Sequence, residues 1–161
     1  MDEDTVVGPL ATENILLGIE KQVNDSVSLG ATIEYGGKRV GDVGYFYTPT
    51  VMTNIKMDMP IWKEEAFGPV MPIVTFETDE EAVQIANNTQ YGLGASVWTN
   101  DIANAKKIVP KIEAGNVFVN SIVKSDPRAP FGGIKRSGYG RELGTYGIKE
   151  FVNIKNVDIQ Q

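Results

Sequence analysis

Residues 69–121 read PVMPIVTFETDEEAVQIANNTQYGLGASVWTNDIANAKKIVPKIEAGNVFVNS, and this stretch decides the fold. It opens with PVMPIVTF (69–76), a short run rich in β-formers that reads as a strand. TDEEAVQIANNTQYG follows from Thr78 and reads as a helix. Thr78 and Glu81 have capping-box spacing, and Val83 with Ala86, or Ala82 with Ile85, mark a buried side. GASVWT (94–99) is a second strand. NDIANAKKIVPKIEAG (100–115) is a second helix carrying Ile102, Ala105, Ile108 and Val109, which Pro110 kinks or ends. NVFVNS (116–121) is a third strand, with Val117 and Val119 alternating. Strand and helix therefore alternate from Val70 to Ser121. The pattern predicts an α/β fold of βαβ units, with a largely parallel sheet and helices on its faces.

The flanks are read from this centre. The first residues, MDEDTVVGPLAT, are acidic and show no helical period. Leu16, Ile19, Val23 and Val27 then recur at helical spacing, with Thr12 as a cap and Gly30 as a stop. ATIEYGG (31–37) reads as a short strand ended by two glycines. YFYTPTVMTNI (45–55) is rich in β-formers, and Pro49 inside it suggests an edge or a bulge. After Ser121 a Gly/Pro-rich loop runs to about Gly140, then a short helix around Glu142 to Lys149, then FVNIKNVDI (151–159) as a terminal strand. That strand could pair within the domain or add to a sheet of another subunit.

Composition narrows the chemistry. A chain of 161 residues is long enough for one domain with a real core. The formal net charge of -6 argues against nucleic acid or an anionic membrane surface as the main partner. No apolar run reaches the length of a membrane span, and no signal-peptide pattern is present. Cysteine and histidine are both absent. The chain thus offers no thiol nucleophile, no imidazole base, no disulfide framework and no standard zinc site. A self-contained enzyme would have to work with carboxylates, Lys, Tyr or Ser. The expectation is a soluble cytoplasmic protein without a metal.

Three stretches carry candidate chemistry. PFGGIKRSGYGRELG (130–144) invites a phosphate-loop reading but lacks the Gly-Lys-Ser/Thr order, because Arg136 follows Lys135. Gly138, Gly140 and Gly144 are spaced G-x-G-x-x-x-G, which is not the dinucleotide fingerprint. The plainer reading is a glycine-built connection with close backbone packing. NSIVKSDPRAP (120–130) puts Ser121, Ser125, Asp126 and Arg128 after the end of a parallel strand, where α/β proteins make ligand contacts. Asp126-Pro127 is equally a turn signal in a polar surface loop. KEEAFGPV (63–70) sets two acids beside an aromatic ring and a Gly-Pro stop. It is either a solvated turn with Phe67 in the core, or a fixed carboxylate beside an aromatic face.

EEAFGPV, NNTQYGLGASVWTND, AGNVFVNS and APFGGIKRSGYGRELGTYGIKEF occur in this order and at this spacing in the aldehyde dehydrogenase superfamily, which the chain resembles over essentially its whole length. The resemblance is to the C-terminal third of these enzymes, and SDPRAPFGG is most similar to the succinate-semialdehyde dehydrogenase branch. It implies that residues 1–150 are the C-terminal part of a catalytic domain and 151–161 the oligomerisation strand of a homo-oligomer. It also implies cofactor contacts to NAD or NADP. Glu65 would accept the hydroxyls of the nicotinamide ribose, and Phe67 would pack near the nicotinamide end. Phe131 would line the aldehyde channel, and Ser125 would bind the distal carboxylate of a semialdehyde. Arg128 is a further candidate, argued from its guanidinium alone, for gripping that carboxylate.

The family's reaction needs a cysteine thiolate to form a thiohemiacetal, hydride transfer to NAD(P)+, and a glutamate-activated water. These residues and the Rossmann domain lie earlier in the family's chain. The expectation is therefore a fragment with no catalytic residue of its own, inactive alone, from an enzyme that oxidises succinate semialdehyde or another short semialdehyde. NAD and NADP are not separable from these residues. The alternative, from another class, is a non-catalytic assembly module that self-associates or pairs with a full-length subunit. A carboxylate-based hydrolase is disfavoured, because no matched acid/base pair is evident.

Overall fold

A computed structural model describes residues 3–160; Met1 and Asp2 of the acidic lead, and Gln161 at the end of the expected terminal strand, lie outside the described residues. The chain divides into two compact units, Met1–Phe76 and Glu77–Gln161. The sequence reading draws no boundary there.

In the first unit, α1 spans Glu13–Ser28. Thr12 caps it as expected, its hydroxyl accepting from the Ile15 N–H at 3.3 Å. The buried face is Leu16, Ile19, Val23 and Ser26, with Ser26 in the place expected for Val27, which is 39% exposed. The substitution has a reason. Short helix α2 (Pro60–Lys63) has no side-chain cap of its own, and the Ile61 N–H donates to the Ser26 hydroxyl at 3.1 Å. That hydroxyl donates in turn to the Gln22 carbonyl at 2.7 Å, so its burial leaves no polar atom unpaired.

Strands β1 (Thr32–Tyr35), β2 (Thr50–Thr53) and β3 (Val70–Pro72) form a sheet in that order. β1 pairs antiparallel with β2, and β2 parallel with β3. Pro49 marks neither an edge nor a bulge. It stands just ahead of the central strand, so pairing begins with the Thr50 N–H, which donates to the Pro69 carbonyl at 2.8 Å. Leu16, Ile19, Val23, Ala31, Tyr47, Met52, Met59 and Ile61 form the core of this unit.

In the second unit, α3 spans Asp79–Asn87 behind its Thr78 cap, whose hydroxyl accepts from the Glu81 N–H at 3.2 Å. Strand β4 (Tyr91–Gly92) leads to β5 (Gly94–Val97), helix α4 (Ile102–Ile108), a 3-10 turn at Val109–Lys111 and β6 (Asn116–Val119). Pro110 sits in that turn, ending α4 as expected. β5 and β6 pair in parallel from Gly94↔Asn116 to Val97↔Val119. With α4 as the crossover they are the βαβ unit that the alternation predicts. β7 (Ile134–Lys135) pairs antiparallel with β4, and α5 spans Gly144–Lys149.

Two expectations change. Among the described residues the strands make three small sheets rather than one largely parallel sheet, and two of the four pairings are parallel. The stretch 153–160 forms no strand and joins no sheet among the described residues. A lone strand has no ladder to hold it, and Phe151, Ile154 and Ile159 are more than three-quarters exposed. The side of α3 marked by Ala82, Val83, Ile85 and Ala86 is not buried either: the first three are half-covered and Ala86 is exposed.

Candidate functional site

The stretch KEEAFGPV lies in the first unit and bridges α2 to β3. α2 ends at Lys63, and Glu64 leaves it in extended conformation. From there the chain alternates. Ala66 packs against the core, Phe67 points out with 62% of its surface exposed, and Gly68 turns back in. A Cβ on Gly68 would stand 2.9 Å from Ile19, so only glycine lets the backbone sit this close to α1. Pro69 then feeds β3 through its bond with Thr50. The result is a backbone pinned at Ala66 and Gly68, with the exposed residues Glu65 and Phe67 between and beside the pins. Of the two readings open from sequence, Phe67 in the core is excluded by its exposure.

Glu64 is more than a solvated acid. Its carboxylate accepts from the Gln22 amide at 2.9 Å, and the same amide reaches the Glu65 carbonyl at 3.4 Å. α1 thus holds the approach to Glu65. Gln22 carried no signal in sequence, being one of several polar residues on the helix.

Ser125, Arg128 and Phe131 share a loop in the second unit, after β6. Ser125 is exposed. Asp126-Pro127 does form a turn, closed by the Ala129 N–H donating to the Asp126 carbonyl at 3.0 Å. The Arg128 guanidinium lies clasped to Asp126: Nε donates to Oδ1 at 2.9 Å and Nη2 to Oδ2 at 2.7 Å, while the Arg128 backbone N–H also reaches Oδ1. These bonds hold the Asp126 carboxyl well down, at about 2, the guanidinium bond being the larger cause and the backbone N–H the next. Two of the five guanidinium N–H groups are used in this way. The fork proposed from sequence to grip a carboxylate is therefore already gripping one.

Phe131 is half-buried and exchanges both backbone bonds with Glu142, each 2.8 Å. It lines a cavity of about 390 Å³ together with Leu93, Tyr139, Arg141, Glu142 and Phe151. Sequence reasoning saw the glycines of this region but not Glu142 as the backbone partner of Phe131. Backbone pairing leaves no mark on side-chain identity.

The sequence pattern of the Aldehyde dehydrogenase family matches residues 1–157. This chain belongs to the aldehyde dehydrogenase family. It is 51% identical, over 97% of its length, to succinate-semialdehyde dehydrogenase [NADP(+)] 1 of Mycobacterium tuberculosis, and it spans 34% of that protein. Among solved structures, betaine aldehyde dehydrogenase from Staphylococcus aureus in complex with NAD+ superposes with a TM-score of 0.88 at 41% identity, over 94% of this chain and 31% of that one. An NAD-dependent aldehyde dehydrogenase from Sinorhizobium meliloti superposes with a TM-score of 0.89 at 40% identity, covering 94% and 30%. The chain thus spans about a third of the length of the aldehyde dehydrogenases it matches. No helix among the described residues is long and apolar enough to cross a membrane.

Proposed function

We propose that this chain is the C-terminal segment of an NAD(P)-dependent aldehyde dehydrogenase that oxidises a short semialdehyde, succinate semialdehyde first among them, to the carboxylic acid. The observation that carries the reading is the KEEAFGPV geometry, an exposed carboxylate and an exposed ring set beside each other on a backbone pinned to the core. That pair fits a nicotinamide cofactor. The Glu65 carboxylate can accept two ribose hydroxyls, and Phe67 offers an uncovered face to a flat ring. The cofactor, when bound, accepts the hydride from the substrate carbon. This chain has no cysteine, so on this reading the thiolate nucleophile belongs to the remainder of the enzyme.

Ser125 and Phe131 are the substrate side of the proposal. The Ser125 hydroxyl would donate to the distal carboxylate and Phe131 would wall the aldehyde chain. Arg128 would add charge through the N–H groups that Asp126 leaves over. The relative from M. tuberculosis, named for succinate semialdehyde and NADP+, supports this choice of substrate at 51% identity. NAD and NADP both remain within the proposal.

Glu65→Gln in the full-length enzyme tests it. Gln keeps one carbonyl acceptor and loses the charge and the second acceptor. A turnover lowered about tenfold, near 1.4 kcal/mol of transition-state stabilisation, is the expected result. Unchanged turnover together with unchanged cofactor KM would remove the ribose role.

A further inference from the structure

Leu143 has φ 63° and ψ 171°. This is the mirror image of extended backbone, a region that essentially only glycine enters, and a leucine persists there only when its surroundings over-determine it. They do so here. Glu142, just before it, exchanges both backbone bonds with Phe131 at 2.8 Å. The Leu143 carbonyl accepts from the Gly147 N–H at 2.9 Å, tying it into the first turn of α5. Gly144, just after it, donates its N–H to the Pro127 carbonyl at 3.0 Å. At φ +55°, a Cβ on Gly144 would stand 3.1 Å from the Pro130 nitrogen and 3.2 Å from the Ala129 carbonyl carbon.

Residues 142–144 therefore grip the loop at two points, Pro127 and Phe131, and the strained leucine is the link between the grips. Ser125 lies two residues ahead of the first grip, and Phe131 is the second. Were Leu143 to relax to an ordinary φ, Gly144 would swing relative to Glu142, and both grips could not hold together. A bland connection would have glycine at position 143 and no strain.

We propose that Leu143 and Gly144 are positioning residues that set the placement of Ser125 and Phe131, and through them the preference for aldehydes carrying a distal carboxylate. The proposal rests on the substrate reading above. The test is steady-state kinetics of the full-length enzyme with succinate semialdehyde and with butanal, which differ in the distal carboxylate. Wild type, Ser125→Ala, Leu143→Gly and Gly144→Ala are compared, with the melting temperature of each.

Leu143→Gly is expected to keep or raise the melting temperature, because glycine takes this conformation without strain. It should nevertheless raise KM for succinate semialdehyde about fivefold or more while KM for butanal stays within about twofold, because glycine enters ordinary φ just as readily and no longer holds the two grips at a fixed angle. Gly144→Ala should shift the same ratio in the same direction with a lower melting temperature. A purely structural role would move stability and leave the ratio of the two KM values alone. A wild type without preference for the carboxylated aldehyde, or a Ser125→Ala enzyme that keeps that preference, overturns the substrate reading and this proposal with it. If Ser125→Ala loses the preference while Leu143→Gly and Gly144→Ala keep it, this proposal alone is overturned.

Discussion

Asp126 and Arg128 show how a local pair can look like a binding group in sequence. Two residues apart across a Pro-containing turn, they meet in a two-pronged clasp on the surface, with the Arg128 side chain 89% exposed. From the letters alone, Arg128 is a cation near a candidate carboxylate site; the turn that folds it back onto Asp126 is visible only once Pro127 is read as its second position. The clasp has a pH signature. The carboxyl value is depressed to about 2 in the folded chain, below its unfolded value of about 3.9. Stabilisation by a depressed acid is fully present above the unfolded value and is lost as pH falls through the folded one. The clasp should thus begin to lose its contribution as pH falls toward ~4, lose most of it by pH ~2 and the rest below that. Carboxyl-carbon NMR should find Asp126 titrating near 2, and Arg128→Ala should return it toward the ordinary aspartate range. A wild-type titration already in that range would mean that the clasp does not persist in solution. Glu65 and Phe67 were more legible, because an acid, a ring and a Gly-Pro stop leave few ways to fold. The exposure of Phe67 rules out the reading that places it in the core.

Elements were legible wherever a cap and a period agreed. Thr12 and Thr78 both cap the helices expected of them, and α4 ends at the proline that forbids its continuation. The buried face of α1 was legible for three turns and misread at the fourth. Val23 has Ser26 three residues on and Val27 four residues on, and both spacings suit a helix. Hydrophobicity favours Val27. The structure favours Ser26, because α2 needs an acceptor for the Ile61 N–H and only a hydroxyl at that position supplies it. Ser26→Ala should therefore destabilise the chain by about 1–3 kcal/mol, the cost of an unpaired buried donor, although alanine is the better helix former. Chemical denaturation measures the difference; a change within a few tenths of a kcal/mol would mean that water replaces the hydroxyl at Ile61. Strand lengths were the least legible. PVMPIVTF contributes only Val70–Pro72, since a strand extends only as far as its neighbour pairs with it, and periodicity does not reveal the neighbour.

At the scale of the whole chain, the apolar core lies almost entirely in the first unit, and Ala105 is the one fully buried apolar side chain described for the second. Trp98, Ile122, Tyr146 and Ile148 in that unit are all more than half exposed. Surface of this kind marks an interaction site or an aggregation liability. On the proposed reading, the rest of an aldehyde dehydrogenase, whose curated relatives are about three times as long as this chain, would cover it. The tail adds a second, sequence-local case. Val152 with Ile154, and Val157 with Ile159, are spaced two apart as on one face of a strand, and all four are more than half exposed with no strand beside them. This tail is what favours the assembly reading alongside the enzymatic one. The two kinds of exposed surface separate experimentally. Produced alone, the 161-residue chain should self-associate in sedimentation velocity, and a monodisperse monomer at high concentration would sink that expectation. Removal of residues 151–161 then assigns the cause. If the tail pairs as a strand with a second copy, the truncated chain loses its defined oligomer and keeps its helical circular dichroism, because α5 ends at Lys149 and the described residues 151–160 belong to no helix. If association persists unchanged, the uncovered faces of the second unit drive it, and on the proposed reading the remainder of the enzyme, supplied in trans or in a full-length chain, should suppress it.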